Sequence, residues 1–185
     1  MQKKNTIYKI CTVGVFGALV FVSNFISIPI PVAVGDLTRI HLANGVCLLS
    51  GLILGPVGGG FAAGIGSALF DVMTPAYVAS APFTLLFKFL LACIPGLFMK
   101  YGKGKISMNI LGCALGQIAY IALYLGKSYI TGLLEGSAPG ALIPAMLTKL
   151  GTSSANAIIA IVISVALYSV LKAALKKSKL AFTEY

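Results

Sequence analysis

One histidine and four acidic residues are all that this 185-residue chain offers for acid–base chemistry. General acid–base catalysis needs paired titratable groups, and a nucleophilic serine needs a histidine that a third polar group orients. Glu135 falls in a predicted loop and Glu184 in the tail, which leaves Asp36, Asp71 and His41 without the companions a catalytic centre requires. Cys11, Cys47, Cys93 and Cys113 sit inside apolar runs with no Cys-x-x-Cys pair, so they read as buried, reduced thiols and no metal is expected. Gly126, Lys127 and Ser128 spell the end of a phosphate-binding loop, but the position that should hold its first glycine is Ile121. An enzyme is therefore not expected, nor a cofactor. The polar residues that remain, Asp36, Arg39, His41, Asn44, Asp71, Lys88, Gln117, Tyr120, Lys149 and Asn156, are suited to holding a small polar ligand by charge and hydrogen bonds.

These residues must be positioned by elements that live in lipid. The chain is 58% hydrophobic and 10% charged, with a mean hydropathy of +0.99, whereas soluble domains carry roughly a quarter charged residues. Fourteen cations and four acids cannot cover that much apolar surface in water. The expected fold is an all-α integral membrane protein, a single transmembrane domain over residues 1–185. Apolar runs between breakers predict six helices, over about 7–25, 42–54, 57–73, 82–99, 106–124 and 144–175. Pro29 and Pro31 close the first, and Gly55 with Pro56 separates the second from the third. Lys3, Lys4 and Lys9 resemble the charged start of a signal peptide, but no small-x-small cleavage site follows, so the first helix reads as retained.

Charge argues against treating residues 42–73 as one long crossing. With six crossings, Lys3, Lys4, Lys9, Lys100, Lys103, Lys105, Lys172, Lys176, Lys177 and Lys179 share one side, which the positive-inside rule assigns to the cytoplasm together with both termini. With five, the cluster from Lys100 to Lys105 would face away from the N-terminal lysines. The net charge of +10 then reflects topology and attraction to lipid headgroups, and nucleic acid is not required as a partner. The same orientation puts the remaining polar residues in the outer half. Ionisable groups there are costly, so they line a cavity or pair with one another. Two arrangements compete: a water-accessible pocket open to the outside, or a buried Asp71–Lys88 ion pair with Lys127 and Lys149 snorkelling to the interface.

Small residues mark close helix contacts in lipid. Gly60, Gly64 and Ala68 recur at four-residue spacing, as do Gly112 with Gly116, and Gly14 with Ala18. The first set is expected to pack within the chain, and the Gly14–Ala18 pair is equally suited to a partner protein.

The stretches HLANGVCLLSGLILGP (His41–Pro56), GSALFDV (Gly66–Val72) and APFTLLFK (Ala81–Lys88) resemble the substrate-binding S components of energy-coupling-factor (ECF) transporters, most closely the riboflavin-type group with its pyridoxine-like and pyrimidine relatives. The resemblance implies a vitamin-binding subunit in the cell membrane of a bacterium. It further implies docking on a transmembrane coupling protein and two cytoplasmic ATPases, whose ATP hydrolysis tips the subunit over in the membrane. Gly14 and Ala18 match the position of the family's small-xxx-small docking motif, and residues 28–40 that of its first loop, a lid that would bring Asp36 and Arg39 to the ligand. The competing reading is a standalone secondary carrier that uses Asp71 as a proton or ion site.

Overall fold

The computed structural model describes residues 2–32 and 38–177, so Asp36 lies outside the described residues. Helix α1 (Gln2–Ser23) ends where Ser23 Oγ and Asn24 Nδ2 both donate to the Val20 carbonyl at 2.8 Å, satisfying an acceptor that the last turn leaves open. A short antiparallel pair follows, β1 (Ser27–Ile30) with β2 (Thr38–His41), in the register Ser27↔His41 and Ile30↔Thr38. The sequence predicts only a polar loop here. Pro29 is tolerated in β1 because each strand of a two-stranded sheet has an open edge.

Helix α2 (Ala43–Met73) consists of two helical halves joined directly at one non-helical residue, so that, with α2 counted as a single element, the described residues hold five long apolar helices where the sequence predicts six. The expected break is nonetheless inside it. Gly55 has φ 75° and ψ −176°, a backbone shape that suits glycine, and Pro56 opens the second half, where a missing N–H costs little. Helical bonding thus resumes with no intervening loop. Ser50 Oγ donates to the Gly59 carbonyl at 3.1 Å, and a Cβ on Gly59 would collide with the Cα of Gly51. In a straight helix residues nine apart are separated by about 13 Å, so the two halves are folded back on each other.

A 3₁₀ turn (Val78–Ser80) leads into α3 (Ala81–Tyr101), followed by α4 (Ile106–Leu134) and α5 (Pro139–Lys177). Helix α4 continues ten residues past its predicted end at Tyr124. Gly126, Lys127 and Ser128 interrupt the apolar pattern without interrupting the helix, which stops near Gly136 at φ 81°. The start of α5 is likewise earlier than Pro144, because this proline lies within its opening turns.

The core joins Val20 of α1 to Leu48 and Leu52 of α2, Leu91 of α3, Cys113 of α4 and Ala160 of α5. Outside, Val15, Leu69, Leu86, Ile118, Ile158 and Val162 are each more than half exposed, the distribution expected when lipid is the solvent. The cysteines follow helix faces: Cys47 and Cys113 are buried, whereas Cys93 is half-buried and Cys11 exposed, which corrects the expectation that all four are interior. Glycines set the spacing inside. A Cβ at Gly64 would lie 2.7 Å from the Leu85 carbonyl oxygen, and one at Gly116 2.8 Å from that of Leu91, so α3 meets both α2 and α4 at backbone distance.

Candidate functional site

The fold-back at Gly55 brings the two ends of α2 to one place. Asn44 and Asp71 would stand about 40 Å apart on a straight helix, yet they line the same cavity. Strand β2 contributes Thr38, Arg39 and His41, and the segment before α3 contributes Tyr77 and Ser80. Helix α3 supplies Phe83, Thr84, Phe87 and Lys88; α4 supplies Tyr120, Tyr124 and Lys127; α5 supplies Ser153 and Asn156. The spacing of Gln117, Tyr120, Tyr124 and Lys127 keeps them along one face of α4.

Two charge networks organise the cavity. The Arg39 guanidinium lies 4.4 Å from the Phe70 ring centre and 4.6 Å from that of Tyr77, donating through Nη2 to Asp71 Oδ1 at 3.4 Å and Asn24 Oδ1 at 3.3 Å. Thr84 Oγ1 donates to the other Asp71 oxygen at 2.5 Å. Lys88 Nζ donates to Asn44 Oδ1 and sits 4.4 Å from the Tyr120 ring centre, while Asn44 Nδ2 donates to Gln117 Oε1 at 3.4 Å. The ion pair that forms is therefore Arg39–Asp71, in place of the Asp71–Lys88 pair considered from the sequence.

The other expected site residues divide by task. Asn156 spends both amide atoms on β2: Oδ1 accepts from the His41 backbone N–H at 3.0 Å, and Nδ2 donates to the Arg39 carbonyl at 2.8 Å. It thereby pins the strand carrying Arg39 against α5. Gln117 is buried behind Asn44, and Lys149 is fully buried, donating to Ser128 with its ammonium 5.9 Å from the Tyr124 ring, so it does not snorkel. Burial first, and then the positive charges of Lys88 and Arg39, hold His41 well below the ordinary histidine pKa of 6.5. Its Nδ1 has no partner among the described residues. Gly14 and Ala18 lie far from this chemistry, on the exposed face of α1.

Sequence reasoning missed Thr38, Tyr77, Ser80, Phe83, Thr84, Phe87 and Tyr124 as lining residues, and gave Lys127 only an interfacial role. Tyr124 and Lys127 were legible as a continuation of the Gln117–Tyr120 face, but the predicted helix ended at Tyr124.

A family model described as "ECF-type riboflavin transporter, S component" matches residues 4–173. The chain belongs to the ECF S-component family. It is thus of the kind that provides the substrate-binding subunit of ECF transporters, a transport subunit and not an enzyme. A Pyrococcus woesei relative, an uncharacterized protein in the gap 3′ region, is 34% identical over 113 residues, spanning 61% of this chain and 72% of its own. The fold is similar to a solved S component of a bacterial ECF transporter, with a TM-score of 0.66 at 21% identity over 95% of this chain and 99% of the other. With this fold and its apolar helices, the S component is a multi-pass membrane protein.

Proposed function

We propose that this S component captures a flat heterocyclic vitamin or vitamin precursor, such as pyridoxine, hydroxymethylpyrimidine or riboflavin, at the outer face of a bacterial cell membrane. It then delivers the vitamin inward with a transmembrane coupling protein and two cytoplasmic ATPases. The observation that carries the reading is the convergence of Arg39, Asn44, Asp71 and Lys88 with the rings of Tyr77, Phe83, Phe87 and Tyr120 around one cavity. Charged side chains in a bilayer are rare unless they serve a ligand or a pairing role, and aromatic faces suit a planar ring. Asn44, Asp71, Lys88 and Tyr120 contact the ligand in this reading, with Arg39 closing over it, and Asp36 joining from the first loop. His41, Gln117, Lys149 and Asn156 hold those groups in place.

The fold-back at Gly55 supports counting the two halves of α2 as separate passages, giving six with both termini cytoplasmic. Gly14 and Ala18 form the docking stripe for the coupling protein, a role supported by the open space around Gly14, which has no atom within 4 Å of where a Cβ would stand. The test is direct. Purified protein in detergent, without ATP, is screened by thermal shift and titration against vitamins and their precursors. One planar compound is expected to bind tightly, and a screen with no binder would overturn the reading.

A further inference from the structure

We infer that this cavity is sized for a single six-membered ring with short polar substituents and excludes the fused three-ring system of a flavin; the inference rests on the vitamin-binding reading and narrows it. The space inside the wall is about 80 Å³, against about 300–1,000 Å³ in pockets that enclose drug-sized ligands. Such pockets cover most of their ligand's surface. A flavin seated here by one ring would leave its other two rings and its polyol chain outside the wall.

The room is taken up by side chains that are tied down. Lys88 donates to Asn44 and lies 4.4 Å from the Tyr120 ring centre, and the Tyr120 and Tyr124 rings stack within 4° of parallel, 6.2 Å between centres. Asn44 in turn donates to the buried Gln117, which closes the cavity behind it. The Arg39 guanidinium lies against the rings of Phe70 and Tyr77 and is bonded to Asp71. Enlarging the space by side-chain motion would give up these contacts.

The helices cannot retreat to make room either. Leu85 and Leu91 stand three residues to each side of Lys88 in α3. A Cβ at Gly64 of α2 would lie 2.7 Å from the Leu85 carbonyl oxygen, and one at Gly116 of α4 2.8 Å from that of Leu91. Within one turn of Lys88, α3 therefore touches both neighbours at backbone distance, and drawing it away would open voids in a close-packed interior. The width available to a ligand between α2, α3 and α4 is set by main chain.

The purified full chain in uncharged detergent is titrated with single-ring compounds (pyridoxine, pyridoxal, hydroxymethylpyrimidine and nicotinamide) and with the fused three-ring compounds riboflavin and lumiflavin. The tightest single-ring compound is expected to bind about tenfold or more tighter than either flavin. Phe87→Ala, which removes a ring from the wall, should shrink that ratio to about threefold or less. Should this variant fail to fold, Phe83→Ala, at a more exposed position of the same wall, provides the same comparison. An unchanged ratio in the folded variant would show that the wall does not set the size limit, and would overturn the inference. A flavin binding as tightly as the best single-ring compound would also overturn it, while leaving the vitamin-binding reading standing. If no compound of either class binds, the inference and that reading fall together.

Discussion

Gly51 of α2 and Gly14 of α1 both belong to runs of small residues at four-residue spacing, and they have opposite fates. Gly51 is pressed so closely against α3 that a Cβ would collide with the Ala92 carbonyl, whereas Gly14 has open space where its Cβ would stand and Ala18 beside it is exposed. One set lets backbones of the same chain touch. The other lines an apolar groove between α1 and the second half of α2. Small residues at four-residue spacing therefore say that something approaches closely, and only the surroundings say whether it belongs to the same chain.

The contrast is sharpest for bulky substitutions. Gly51→Val should prevent accumulation of folded protein, because its neighbour is main chain and cannot move aside; a monodisperse gel-filtration peak of normal stability would break the distinction. Replacing Gly14 and Ala18 together with leucine should abolish vitamin uptake in cells while leaving melting temperature and ligand affinity unchanged. Equal loss of affinity would show that α1 belongs to the binding site and not to a docking face.

A smaller effect is expected at the cavity wall. Lys88→Met should weaken ligand binding by about tenfold or more, or about 1.4 kcal/mol, while changing stability in detergent by less. A stability loss with unaltered affinity would make Lys88 a structural partner of Asn44 alone.

The smallest effect concerns pH. His41 is held neutral in the folded chain, with its pKa well below 6.5. Below about pH 6.5 the unfolded chain therefore binds more protons at this position than the folded one. Its contribution to stability is full above that pH and declines as pH falls, by up to about 1.4 kcal/mol per unit. Melting curves of the wild type and His41→Gln between pH 7.5 and 5 should converge toward acid; parallel curves would show that His41 does not titrate in this way.

Much of the cavity was legible before the fold. Residues too polar for lipid, such as Asn44, Asp71 and Lys88, stood out against the apolar background, and lysine placement suggested that they share one end. The contribution of Tyr124 and Lys127 was obscured by an error in a helix boundary: Gly126 and Ser128 look like a loop in a hydropathy pattern but cost a helix little. The β1–β2 pairing was hidden for another reason. A four-residue strand containing proline has no periodicity to detect, and its pairing depends on partners eight to fourteen residues away along the chain.

By itself the sequence determined the solvent and the inventory: too few charges for water, and a set of polar groups that lipid would reject. Tertiary structure alone decided their partners. Arg39 reaches Asp71 because Asn156 fixes β2 and Gly55 turns α2 back, while Lys88 is directed to Asn44 and Tyr120. Hydropathy along a chain reports how costly each group is to bury. Which groups meet depends on helix rotation and on a reversal at one glycine, and neither is encoded in the cost.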